Sequence, residues 1–181
     1  MQFLEKSSEA EMVAEWLKAE MWSPRFSGPL KKIVRKFKQG QGIINNPRLT
    51  DKRENLLRRK ILFSYRQETL KHFPQKISWQ KVTLNLYDLQ KIKYSNKDYL
   101  NERSLSVKLA KAAVKHVKKH GWFPKMILIS TQPGVPVAVL EGHLRLTAYL
   151  MAPEAIPNKL IAIIGYSSGF SAKMKPWSIL P

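Results

Sequence analysis

The chain has 181 residues, with 32 Lys and Arg against 13 Asp and Glu, a formal net charge of +19 and a pI near 10.2. It has no cysteine, which excludes disulfides, thiolate-bound zinc or iron–sulfur sites and thiol catalysis. No basic-then-apolar leader occurs at Met1–Ala14, and no apolar run approaches the roughly 20 residues of a membrane helix, so the expectation is a soluble cytoplasmic protein with no membrane span.

The charge is uneven. Met1–Trp22 holds five acids and two bases, so 30 bases face 8 acids in the rest of the chain. Such a field attracts polyanions, nucleic acid before anionic membrane. Charge alone carries no specificity, and a solubility device or an acidic partner would use the same composition.

Ser8-Glu9-Ala10-Glu11 has capping-box spacing, and Met12, Val13, Trp16, Leu17 and Met21 form a helical stripe that Pro24 ends. A second helix is predicted from about Pro29 to Gln39, with Leu30, Ile33, Val34 and Phe37 on one face and Gly40 as its stop. Its other face is Lys31, Lys32, Arg35, Lys36 and Lys38, which is either a solvated surface or a phosphate or membrane contact. Gln41–Arg48 reads as loop. Thr50 or Asp51 then caps a long helix to about Lys71, carrying Arg53, Arg58, Arg59, Lys60 and Arg66.

The period changes at Ile77. Trp79, Val82, Leu84 and Leu86 alternate with polar residues and predict a strand. A short helix or turn over Asp88–Tyr94 and a polar loop over Ser95–Glu102 follow. A helix from Ser104 to about His120 sets Leu105, Leu109, Ala112, Ala113 and Val117 inward and Lys108, Lys111, Lys115, Lys118 and Lys119 outward. Met126–Ser130 and Val135–Leu140 read as two strands of a hairpin turning at Pro133-Gly134. A helix from His143 to about Met151, a loop over Pro153–Asn158, a strand over Leu160–Gly165 and an aperiodic tail complete the chain.

The expected architecture is α+β (mixed α/β): a basic helical extension over 1–76, an α+β domain over 77–168 and a tail over 169–181. Within that domain, Glu141-Gly142-His143-Leu144-Arg145 stands where a strand turns into a helix. Helix N-termini attract anions, so this turn is the candidate ligand site.

This order of elements, with Glu141-Gly142-His143-Leu144-Arg145, resembles the ParB/sulfiredoxin superfamily over about Trp79–Ser167. The segment around Glu54-Asn55-Leu56-Leu57-Arg58-Arg59 and Tyr65-Arg66 is similar to what precedes the domain in a bacterial ParB-like branch. ParB-type proteins carry Gly-Glu-Arg-Arg at this turn, sulfiredoxins Gly-Cys-His-Arg, and ParB-like serine kinases Asp-Gly-His-His-Arg, to which this chain lies nearest. The resemblance implies that Gly142 admits a ligand to the backbone, that Arg145 and His143 contact phosphate, and that Arg103 and Ser104, with Ser106 assisting, supply a second set of phosphate contacts. It implies Glu141 and His143 as the catalytic pair. His143 stands where sulfiredoxins have their cysteine, so that activity is excluded, and Leu144 replaces a polar residue and removes one phosphate contact.

The function so implied is nucleotide binding (ATP, ADP or CTP, with Mg2+ arriving with the nucleotide), with NTPase or small-molecule phosphotransferase chemistry left open. The alternative is a basic DNA- or RNA-binding module related to partition or mobile-element proteins, without catalysis. No Walker pattern, no metal-ligand motif and no nucleophile elbow occurs, so no protein-held metal is expected. Each site residue also has a plain structural use: Gly142 in the turn, His143 as a cap or half-buried imidazole, Glu141 paired with a lysine, Ser104 as a helix cap. Arg145 is the hardest to explain that way, because an arginine in the first turn of a helix opposes the dipole unless an anion is near.

Overall fold

A computed structural model describes residues 1–71, 73–94, 103–121 and 123–170. The chain divides into two compact units, Met1–Ser7 with Pro74–Pro181, and Ser8–Phe73.

The Ser8–Phe73 unit is helical. α1 (Glu9–Trp22) starts where the Ser8 hydroxyl accepts from the Glu11 N–H, as the capping spacing predicted. Its buried side is Met12, Val13, Trp16, Leu17 and Met21. α2 (Ser27–Lys36) buries Leu30 and Val34. It ends earlier than Gly40: Lys38 takes the left-handed conformation (φ 54°), with Lys38 N–H on Arg35 O and Gln39 N–H on Val34 O. That is a Schellman closure, usually built on glycine. A single turn, α3 (Gly42–Asn45), lies within the predicted loop and buries Ile43 and Ile44.

α4 (Lys52–Tyr65) is capped by Asp51, which accepts from the Arg53 and Glu54 N–H groups. The helix predicted to run to Lys71 breaks at Arg66 (φ −112°, ψ 36°), and a short α5 (Gln67–Leu70) follows. The break coincides with a demand on the Arg66 side chain. Its guanidinium binds Glu20, whose carboxylate is 1% exposed and also accepts from the Trp16 indole at 3.1 Å. Arg58 is wholly buried and donates to Ile43 O (3.2 Å), Arg48 O (3.1 Å), Glu54 (2.9 Å) and Asn55, so one side chain holds α3 and the following loop onto α4.

The other unit is α+β, the class expected. Its six-stranded sheet has the order β1-β2-β6-β4-β5-β3. The strands are β1 (Gln2–Lys6), β2 (Ser78–Leu84), β3 (Lys93–Tyr94), β4 (Met126–Ser130), β5 (Ala138–Glu141) and β6 (Leu160–Tyr166). β1 pairs antiparallel with β2 and β2 with β6, β6 runs parallel to β4, β4 and β5 form the predicted hairpin, and β5 runs parallel to β3. The extension expected over 1–76 therefore includes a strand, which carries no alternation to betray it: all five β1 residues are exposed.

α6 (Leu86–Lys91) begins in a full capping box between Asn85 and Asp88. α7 (Arg103–His120) and α8 (His143–Met151) follow the predicted ranges closely, and a 3-10 turn (Pro153–Ala155) leads to β6. Val82, Leu84, Met126, Leu128, Val139, Ala162 and Ile164 from the strands pack with Leu89, Val117, Leu146 and Tyr149 from the helices as one core. The loop expected over Ser95–Glu102 and Trp177 of the tail lie outside the described residues. Among the described residues no helix is long and apolar enough to cross a membrane.

Candidate functional site

β5 delivers the turn. Ile127 of β4 faces Glu141 and Leu128 faces Val139, so Leu140 is an extra residue on β5, a bulge at the last step before the motif. Gly142 then takes φ 107°, a conformation costly for any residue with a Cβ, and reverses the chain into α8. A Cβ on Gly142 would stand 3.0 Å from Met126 Cγ and 3.1 Å from Arg145 Cζ and Nε. The space that glycine leaves is thus filled by the chain's own guanidinium.

Arg145 is 7% exposed. It donates to the carbonyls of Pro124 (2.5 Å) and Lys125 (3.0 Å), which lead into β4, and to Glu141 Oε1 (2.7 Å). The anion that a first-turn arginine calls for is therefore present within the motif, one helical turn back. Glu141 is the more open partner, with a side chain 22% exposed. Both are charged and face each other at i, i+4, so the pair ties β5 to α8 while the carbonyl contacts tie α8 to β4.

His143 is the first residue of α8, half-buried, and its carbonyl accepts from the Thr147 hydroxyl at 3.0 Å. Burial pushes the imidazole below its ordinary value; the Glu141 carboxylate opposes that shift and Arg145 adds to it. The ring is thereby favoured as neutral imidazole, able to accept as well as donate a hydrogen bond. No side chain caps this helix N-terminus. Leu144 lies beside it, half-buried. Deeper in α8, Tyr149 is pushed up to about 12 by burial, so its hydroxyl stays protonated.

The predicted site residues are thus partly gathered. Glu141, Gly142, His143 and Arg145 form one turn; Arg103 and Ser104 are the first two residues of α7, and their side chains, with that of Ser106, lie outside the described residues. Among the described residues no three His, Asp or Glu gather as a metal site. The sequence reading missed the carbonyls of Pro124 and Lys125, which no side-chain motif advertises. The Glu141–Arg145 pairing did have a signal, the i, i+4 spacing.

The second arrangement of charge is on α2. Lys32, Arg35, Lys36 and Lys38 are exposed and Lys31 half-exposed, and none of the five meets a carboxylate among the described residues. There is no acid between Glu20 and Asp51. Comparison with protein-family models, with curated proteins and with solved structures found no match to this chain.

Proposed function

We propose that the protein binds nucleic acid through the phosphate backbone, and that the exposed face of α2 is the contact. The observation that carries this is the set of five cations on α2 and its closing turn, none of which meets a carboxylate among the described residues. Lys31 with Arg35 and Lys32 with Lys36 stand at i, i+4, where like charges destabilise a helix by about 0.2–0.5 kcal/mol each, and a polyanion relieves that repulsion. Lys38 adds a second cost, since it holds a left-handed position that glycine would take without strain. The apolar side of α2 favours nucleic acid over a bilayer: an interfacial helix inserts its apolar face, and here Leu30 and Val34 are already buried in the unit.

The test is fluorescence anisotropy with labelled duplex and single-stranded oligonucleotides across a salt series. The triple substitution Lys32→Gln, Arg35→Gln and Lys36→Gln removes up to three phosphate contacts, so the salt slope on duplex DNA falls by up to about 2.7, at roughly 0.9 per contact. Unchanged affinity and slope in the triple variant would sink this reading.

A second reading keeps the nucleotide, as ATP, ADP or CTP with Mg2+, at the β5–α8 turn. It is favoured by an α8 N-terminus that lacks a side-chain cap and stands next to a neutral-leaning His143. It does not need Arg145, whose guanidinium would have to exchange three protein acceptors for phosphate oxygens. Thermal-shift titration with each nucleotide, on wild type and on Leu144→Glu, tests it. A nucleotide-induced rise in Tm that Leu144→Glu abolishes is expected; no rise with any nucleotide rejects the site.

A further inference from the structure

α7 carries a charge pattern of its own, in the unit that α2 does not belong to. Its eighteen residues contain no Asp or Glu. Ala113 and Val117 turn to the core, and His116 stacks on Phe123 with ring centroids 5.2 Å apart, so that side of the helix is fixed. Lys111, Lys115 and Lys119 lie on the exposed side at i, i+4 and i+8. At 1.5 Å rise per residue this row is roughly 12 Å long, a length that spans about three to four nucleotides of one strand at 3.4 Å each.

Its neighbours show that a carboxylate could have been supplied. Lys118, one position off the row, pairs with Glu154 at 2.7 Å. None of Lys111, Lys115 and Lys119 meets a carboxylate among the described residues. Each neighbour in the row repels the next across one helical turn. Three cations in one i, i+4, i+8 row, with a fixed rear face, no acid on the helix and unrelieved mutual repulsion, match a regularly spaced row of anions.

We infer that the Lys111–Lys115–Lys119 row is a second nucleic-acid contact, separate from α2, and that it grips one phosphate strand. This extends the backbone-binding reading of α2 but stands on different residues, and either can fail alone. Contact is through phosphates, so the row discriminates little among base sequences and strongly between low and high salt.

The experiment uses the full chain and a labelled duplex oligonucleotide, with the α2 triple Gln variant, an α7 triple Gln variant (Lys111→Gln, Lys115→Gln, Lys119→Gln) and an α7 triple Arg variant. The α7 Gln variant is expected to lose at least tenfold in affinity at low salt and to lower the salt slope by up to about 2.7. The Arg variant, which keeps the charge, is expected to bind as wild type. With both Gln sets combined, the residual slope is expected to fall further than with either alone. Wild-type affinity and slope in the α7 Gln variant overturn the inference while leaving α2 untouched; an effect from the α7 set with none from the α2 set overturns the α2 reading and supports this one. Vesicles with anionic headgroups serve as the competing surface. Binding to them that is lost in the α7 Gln variant, without binding to nucleic acid, overturns the choice of partner.

Discussion

Arg145→Ala separates a guanidinium that holds the fold from one that waits for phosphate. In the structure Arg145 makes three bonds to protein, two to backbone carbonyls and one to the Glu141 carboxylate. Removing one partner of a buried charge pair costs about 3–5 kcal/mol, because the other charge is left without compensation. Glu141 is part-open, so water recovers some of that, while the stranded carbonyl of buried Pro124 adds about 1 kcal/mol or more. The expected loss is about 3 kcal/mol in the sheet-bearing unit. Because the chain has two units, a single global unfolding energy is not the right measure. Amide hydrogen exchange in β4 and β5, read by NMR, is specific to the site and should show protection reduced on the order of 100-fold. Arg145→Lys keeps the charge but not the fork and should fall between the two. A phosphate-contacting arginine that opposes the helix dipole would behave differently: its loss would be neutral or slightly stabilising. A change within about 0.5 kcal/mol for Arg145→Ala would refute the structural role and return the residue to ligand binding.

Other outcomes follow from the same geometry. Gly142→Ala should destabilise β5–α8 by about 1–3 kcal/mol, since it adds positive-φ strain to a clash with Met126 and Arg145; urea unfolding with β4 exchange as the local probe measures it. Glu20→Ala should cost the helical unit about 3–5 kcal/mol by stranding Arg66 and the Trp16 indole, lowering exchange protection in α1 with β6 as the unaffected control. His143 has a folded pKa below its unfolded value, so the folded state binds fewer protons: stability is full above about 6.5 and falls as pH drops through that value toward the depressed one. Urea midpoints at pH 7.5 and 5.5 should therefore differ by less in His143→Gln than in wild type, and an equal difference would discount the shift. Lys38→Gly should raise the stability of α2 by about 0.5–1 kcal/mol while weakening oligonucleotide binding, read by thermal melts and anisotropy on the same variant.

What was legible in the sequence is what local chemistry decides. Ser8 and Asp51 stand at helix starts because their side chains can take N–H groups that nothing else satisfies. Met126–Ser130 and Leu160–Tyr166 announce themselves as buried strands by continuous apolar runs. The misses belong to partners far away in sequence. β1 is a strand because β2 offers it an edge, not because Gln2–Lys6 has a pattern. α4 stops at Arg66 where that side chain serves a buried Glu20 on another helix. The preference of helix ends for glycine points to Gly40 as the stop of α2, yet the hydrogen bonds close two residues earlier on a lysine. At the turn itself, the letters Glu-Gly-His-Leu-Arg were readable, but whether Arg145 faces inward depends on the carbonyls of Pro124 and Lys125, about twenty residues upstream.

The two kinds of cation divide the work, and this bears on how a charge of +19 should be read. Arg48, Arg58, Arg59, Arg66 and Arg145 each pair with a carboxylate of the protein, as Lys81 and Lys118 do, whereas the lysines of α2 and the Lys111, Lys115 and Lys119 row meet none among the described residues. The physical reason is geometric: a guanidinium presents a rigid planar fork with five donors and is weakly hydrated, so it can satisfy carboxylates and carbonyls together in a buried setting. An ammonium is a compact, strongly hydrated charge that stays in water. The paired arginines therefore raise the net charge without adding much outward field, and the cations of the α2 and α7 faces, Arg35 with the lysines, supply the part that a polyanion meets. Exchange of residue type should then act in opposite directions. Arg58→Lys, Arg66→Lys and Arg145→Lys preserve the net charge, yet each should lower stability because one or more acceptors lose their donor. Replacing Lys32, Lys36, Lys111, Lys115 and Lys119 with arginine should leave both stability and salt-dependent oligonucleotide binding near wild type. Wild-type stability in the Arg→Lys exchanges would mean that the forks do not matter as assigned, and lost oligonucleotide binding in the Lys→Arg exchanges would mean the same for the faces.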